Sequence, residues 1–198
     1  MAKPIVAMSL KGVLFTTEPW DEAHKLWFEH KAEELQDPAI AALAFEDDWW
    51  PYVDHIMERQ YPELVPEERV VRAREQYFES VAHYIEQHPD TLNIDVVELL
   101  EKRKNRFTYA LITTNLPHVI KLILENAGIQ DLFEIVEGSM PTEKDDKEAV
   151  FERFFDSHGK PSLYLSGDRK ENLALCQEHD IPIVLVTSNI RSLDQALQ

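Results

Sequence analysis

The chain has 198 residues, 20 Lys and Arg against 37 Asp and Glu, a formal net charge of −17 and 44% hydrophobic residues. That length suits one domain, or a core with a modest insertion, and the near-ordinary apolar content predicts a folded protein despite the charge. So negative a surface repels phosphate backbones and anionic lipid, which excludes nucleic acid and membranes as default partners but not basic proteins or metal ions.

The first residues hold too short an apolar run for a signal peptide, and no stretch approaches the roughly 18 apolar residues of a membrane span, so a cytoplasmic protein is expected. Cys176 is the single cysteine, which excludes an internal disulfide and a Cys-clustered zinc site. Its expected place is a buried helix face.

The charge is unevenly spread. Residues 18–98 hold 21 acidic and six basic residues, a net of −15, whereas the remainder nets −2. All five glycines lie outside that segment and all four tryptophans inside it. Two composition regimes predict two units, an α/β core of 1–16 plus 105–198 and a helical insertion of 17–104.

In chain order, Pro4–Met8 reads as a first strand, an apolar run bounded by turn signals. Helices are then expected over about 20–35, 40–59, 66–88 and 94–104, broken by Pro38 and Pro62. In the third, Val70, Val71, Tyr77, Phe78, Val81, Tyr84 and Ile85 trace an apolar stripe, and Pro66 followed by Glu67 and Glu68 suits a first turn. Further strands are predicted at Phe107–Ile112, Phe133–Val136, Pro161–Leu165 and Pro182–Val186. Helices over about 117–127, 145–157 and 169–179 separate them, with Gly128 and Gly159 as C-terminal caps. Alternating strands and helices imply right-handed crossovers and a Rossmann-like parallel sheet covered on both faces.

Ligands of such sheets bind beyond the carboxyl ends of the strands. Those positions carry Ser9, Lys11 and Gly12-Val-Leu-Phe15, then Thr113-Thr114-Asn115, then Gly138 to Lys144, and finally Ser166-Gly167-Asp168-Arg-Lys-Glu-Asn172. In this ordered set the chain resembles the haloacid dehalogenase (HAD) superfamily. Gly12-Val-Leu-Phe15 matches the tail of that family's first motif, Asp-x-Asp-Gly-[Thr/Val]-Leu-Phe. Leu111-Ile-Thr-Thr-Asn115 resembles the second motif and Gly167-Asp168 the fourth, while the helical insertion falls where C1-type caps lie.

The resemblance implies that an Asp at position 9 would attack substrate and an Asp at position 11 would act as general acid/base. Ser9 and Lys11 stand there instead. An aspartyl-enzyme intermediate needs the carboxylate, and a lysine, with an ordinary pKa near 10.4, is a poor general base at neutral pH. The family's Mg²⁺ would lie between position 9 and Asp168. An ammonium about 4 Å from a divalent ion at an effective dielectric near 20 costs roughly 8 kcal/mol, so Lys11 is expected to replace the metal, paired with Asp168. By the same resemblance Thr114, with Asn115 beside it, holds a phosphate oxygen, and the third-motif lysine is Lys144, or alternatively Lys147. With backbone N–H groups after Ser9, these make an anion site without a nucleophile.

His24, His30, His55, His83 and His88 form no HExxH-like pattern, and Asp54-His55-x-x-Glu58 is no stronger than chance in so acidic a segment. Adjacent Trp49 and Trp50 cannot share one helix face, so at least one is available to the cap–core cleft or a partner, although core packing is the favoured role. Two functions follow from the resemblance and its departures. One is a catalytically silent HAD-like protein that binds a small anion or a cationic protein partner at its acidic cap, with no cofactor. The other is an active hydrolase of phosphoric monoesters or haloacids, using Mg²⁺ and unorthodox catalytic residues. A homodimer through the cap is compatible with either.

Overall fold

The computed structural model describes residues 3–46, 49–141, 143, 146–167, 170–186 and 190–198. Five strands, β1 (Ile5–Met8), β2 (Thr108–Ile112), β3 (Ile135–Glu137), β4 (Leu163–Ser166) and β5 (Ile183–Leu185), form one parallel sheet in the order β3-β2-β1-β4-β5. β1 is central, with Ile5 opposite Thr108 on one side and Val6 opposite Leu163 on the other. The chain therefore reverses its direction of winding at β1, the point where an open α/β sheet forms a crevice.

Side chains alternate between the two faces of each strand. Val6, Met8, Tyr109, Leu111 and Leu165 enter one apolar cluster, whereas Ala7, Ala110, Ile112 and Tyr164 enter another. Helices α5 (Ile94–Arg103), α6 (Pro117–Asn126) and α9 (Ile190–Ala196) cover the first face, and α7 (Lys147–His158) and α8 (Lys170–Glu178) the second. Being clothed on both sides explains why these strands read as continuous apolar runs. Cys176 lies on the buried face of α8, where desolvation pushes its thiol up to about 11.

The insertion contains α1 (Glu18–Glu34), α2 (Ala39–Ala42), α3 (Trp50–Gln60) and α4 (Pro66–Gln87). The single helix expected over 40–59 is broken. Leu43–Phe45 tightens to a 3₁₀ turn, Glu46 becomes extended at φ −79° and ψ 140°, and Pro51 lies in the first turn of α3. Proline is tolerated in a first turn but blocks a helix that would continue into it from upstream, so α3 starts afresh there. The stripe on α4 also differs from expectation in its first half. Arg69, Ala73 and Arg74 are buried, while Val70 and Val71 are only half-buried.

Trp20 and Ala23 of α1 and Phe78, Val81, Ala82 and Ile85 of α4 share one apolar cluster with Met8, Leu14 and Phe15, so cap and core meet along a continuous seam. Farther out, Trp27, Phe28, Val53, Ile56 and Met57 form the cap's own cluster. α5 lies against the sheet, where Tyr109 donates its phenol hydrogen to the Leu100 carbonyl at 3.0 Å and Arg103 meets Asp194 of α9 at 2.8 Å.

Candidate functional site

The loop leaving β1 curls tightly, because the N–H groups of Val13, Leu14 and Phe15 all donate to the Leu10 carbonyl, at 3.3, 3.1 and 3.2 Å. Gly12 has φ +78°, and a Cβ on it would stand 2.9 Å from the Gly167 Cα. Only glycine fits both conditions, and the contact ties the loop after β1 to the loop after β4. The Leu10 and Lys11 amides are left with no acceptor among the described residues. They lie at a cleft of about 420 Å³ between the sheet and the cap. Ser9, Lys11, Thr113, Thr114, Asn115 and Lys147 line its core side, and Trp20, Trp49, Tyr77 and Phe78 its cap side.

Ser9 closes the deep end. Its Oγ is 2.7 Å from the Tyr164 phenol oxygen and accepts from Asn172 Nδ2 at 3.2 Å. The same Asn172 nitrogen donates to Ser166 Oγ at 2.8 Å. Ser9 is 5% exposed, and Tyr164, Ser166 and Asn172 are fully buried. These partners are neutral. A serine becomes a strong nucleophile when a base takes its proton, and here a phenol and an amide occupy its hydrogen bonds.

Lys11 points to the cap, where its Nζ donates to Asp21 Oδ1 at 2.8 Å while Thr17 Oγ1 donates to the other carboxylate oxygen at 2.8 Å. Burial works against the charge on Asp21, but the hydrogen bonds from Lys11 and Thr17 outweigh it and hold this carboxyl below its ordinary pKa. The expected partner of Lys11, Asp168, lies outside the described residues, as does Lys144. Lys147 is described. It begins α7, is 2% exposed, donates through Nζ to the Ile112 carbonyl and stands 5.6 Å from the Phe151 ring centroid. Its ammonium is thus held at the end of β2, beside the cleft.

Thr113, Thr114 and Asn115 continue β2 as a buried loop, in which the Asn115 N–H donates to Thr113 Oγ1 at 3.2 Å and the Asn115 carbonyl accepts from Ser139 N–H at 3.1 Å. Arg74 reaches in from α4. It donates to the carbonyls of Thr114 at 2.9 Å, Met140 at 3.0 Å and Pro141 at 3.4 Å, and also to that of Glu143. Arg153 of α7 braces the same loop through Glu137 at 3.1 Å and the Gly138 carbonyl at 2.6 Å.

Tyr164, Asp21 and Arg74 are absent from the residues singled out by sequence, whereas Asn172 ends the stretch read after the fourth strand, with no role assigned to it there. Trp49 lines the cleft and sits edge-on to His24, with ring centroids 5.0 Å apart, so one of the paired tryptophans does face this space. His55 is exposed, 4.0 Å from Glu58, and among the described residues no group of three or more His, Cys, Asp or Glu could hold a metal. Mg²⁺ requires hard anionic oxygens. The described ends of β1 and β4 offer it hydroxyls and an ammonium, and Asp21 is paired with Lys11, while Asp168 lies outside the described residues.

A doubly wound parallel sheet, a helical cap inserted after its first strand and a cleft between them define the haloacid dehalogenase-like fold, and this chain has it. It resembles a haloacid dehalogenase-like hydrolase from Streptococcus pneumoniae, with a TM-score of 0.61 at 17% identity over 99% of this chain and 91% of that one. CbbY from Rhodobacter sphaeroides, solved in complex with phosphate, gives a TM-score of 0.60 at 12% identity, covering 95% and 88% of the two chains. A HAD phosphatase from Thermococcus onnurineus gives 0.58 at 14% identity, covering 94% and 87%. No protein-family model and no curated protein sequence matches the chain. Among the described residues no helix is long and apolar enough to cross a membrane.

Proposed function

We propose that this protein binds a small anion, a phosphate or a carboxylate, in the cap–core cleft and does not hydrolyse it. The observation that carries the reading is Ser9, whose hydroxyl stands at the end of β1 hydrogen-bonded to Tyr164 and Asn172 rather than to a base. Lys11, two residues on, is engaged by Asp21 and has no free lone pair to take a proton from substrate. What favours an anion is the cleft lined by Thr114, the buried Lys147 and the Leu10 and Lys11 backbone, whose amides meet no acceptor among the described residues. Fixed N–H dipoles and one desolvated cation hold charge well without performing chemistry on it. The acidic segment 18–98, net −15 and made mostly of cap helices, is the face we assign to a cationic protein partner.

The test is a panel of phosphate monoesters and 2-haloacids, with and without Mg²⁺, alongside calorimetry with inorganic phosphate. The native protein should bind phosphate and turn over nothing above its Asp168→Ala control. Gain of turnover in the Ser9→Asp/Lys11→Asp double variant supports the reading. Metal-dependent turnover by the native protein above that control overturns it.

A further inference from the structure

Three large aromatic side chains of the cap stand open to solvent within eight residues of one another, Phe45 at 77% exposure, Tyr52 at 38% and Trp49 at 36%. Phe45 ends the 3₁₀ turn, the chain straightens at Glu46, and Trp49 caps the start of α3. His24 of α1 holds both arms of this bend. Its Nε2 lies 3.0 Å from the Ala44 carbonyl, which can only accept, so the ring donates there, and the same ring meets Trp49 edge-on with centroids 5.0 Å apart. Tyr52 is one turn beyond Trp49 and donates its N–H to the Trp49 carbonyl at 3.1 Å. Phe45, next to Ala44, and Tyr52, next to Trp49 on its helix, therefore flank a single anchor.

The charge around these rings has one sign. Residues 32–58 contain eight Asp and Glu and no Lys or Arg. Some of these carboxylates are already paired, Glu34 with Lys31 and Asp37 with Arg59. Glu46 is exposed beside Phe45 and has no ion pair among the described residues. The face of an aromatic ring is negative, and a carboxylate next to it adds to the attraction for a cation. A guanidinium suits both, since its plane stacks on rings, its fork meets carboxylates and it is more weakly hydrated than an ammonium. The chain's own net charge of −17 opposes a second copy, or an anionic lipid surface, as the cover.

We propose that Phe45, Glu46, Trp49 and Tyr52 are the docking surface for an arginine-bearing segment of a basic protein, its guanidinium groups stacked on the exposed rings. The proposal rests on the assignment of the acidic segment to a cationic partner, and adds where that partner docks and which side chain it presents.

Calorimetry on the full chain at low salt, with a Gly-Arg repeat peptide and a Gly-Lys repeat of the same length and charge, tests it. The arginine peptide should bind severalfold tighter and shift tryptophan emission, because Trp49 is at the surface. Phe45→Leu and Tyr52→Leu keep an apolar side chain but remove a ring, and each should weaken the arginine peptide about two- to fivefold. Phe45→Leu should leave the urea midpoint where it is, so its effect on binding is not one of folding. Equal affinity for the two peptides, unchanged in both leucine variants, overturns the aromatic surface and leaves the acidic-face reading standing. Binding of neither peptide overturns both. A dimer in sedimentation that Phe45→Leu dissolves gives the surface to a second copy and likewise overturns the proposal.

Discussion

Arg74 of the cap donates through Nη2 to the backbone carbonyl of Thr114 in the core, 2.9 Å away, across 40 positions of sequence. Thr114 is a residue that lines the anion cleft, so the group fastening the cap also fixes the cleft's floor. Arg74 is 4% exposed, and several carbonyls accept from its guanidinium at once, which suits a planar fork of donors.

Arg74→Ala should therefore lower unfolding stability by about 2–4 kcal/mol, because a buried hydrogen-bond network is broken and carbonyls are left unpaired. Arg74→Lys should recover less than half, since one ammonium cannot span the same acceptors. Urea denaturation gives the stabilities, and hydrogen exchange at Ser139 and Met140 should quicken in the alanine variant. An unfolding midpoint unchanged by Arg74→Ala would contradict the latch.

The Ser9–Tyr164 contact can be weighed by a double-mutant cycle. Tyr164→Phe removes a hydroxyl that also faces the Ile112 carbonyl at 3.5 Å, a long and weak bond, so the cycle with Ser9→Ala is what isolates the share that passes through Ser9. Each single variant, Ser9→Ala and Tyr164→Phe, should cost about 1–2 kcal/mol, with a coupling of about 1 kcal/mol between them. Additive costs would mean that the two hydroxyls do not bond each other.

Asp21 gives a pH signature. Its folded pKa is depressed, so the unfolded chain binds the proton more readily and the pair contributes stability above the ordinary carboxylate pKa of 3.8, losing it as pH falls through the lower folded value. The pair is partly exposed, with side-chain exposures of 30% for Lys11 and 53% for Asp21, so its worth should stay below about 1 kcal/mol. Thermal melts of the native protein and Asp21→Asn should differ at pH 5 to 7 and draw together as pH falls below 3.8 through the lower folded pKa. A constant difference over that range would remove the ion pair as its cause.

The sheet and its covering helices were legible because their cause is local. A two-residue alternation buried on both faces leaves an unbroken apolar run, and Gly128 and Gly159, at φ +67° and +76°, mark the ends of the helices before them. The helix break near Glu46 was hidden, since the residues after it match helical spacing and only Pro51 argues otherwise. At the site, Ser9, Lys11 and Thr114 could be found from their places after strands. Their partners could not. Tyr164 sits in Leu163-Tyr-Leu165, where an aromatic reads as packing, and nothing local says that its hydroxyl meets Ser9 from 155 positions away. Asp21 is one of 21 acidic residues in its segment, and Arg74 is one more cation on an amphipathic helix. Each acquires its role from tertiary contact alone.

Gly12 links fold and function most directly. With φ at +78° and Gly167 Cα 2.9 Å from where a Cβ would stand, Gly12→Ala must both strain its backbone and push the loops after β1 and β4 apart. The expected loss is about 2–3 kcal/mol of stability, of which the left-handed conformation accounts for about 1–2. Separation of the loops should also turn the neighbouring Leu10 and Lys11 amides away from the cleft, so phosphate affinity should fall at least tenfold even where the variant remains folded. Gly167→Ala meets the same contact from the other side, with Gly12 Cα 2.9 Å from its Cβ, but without a left-handed φ. It should cost less stability than Gly12→Ala while weakening phosphate to a similar degree. Calorimetry and urea melts on the two variants separate strain from steric displacement. Phosphate binding at native strength in both would show that these amides take no part in holding the anion.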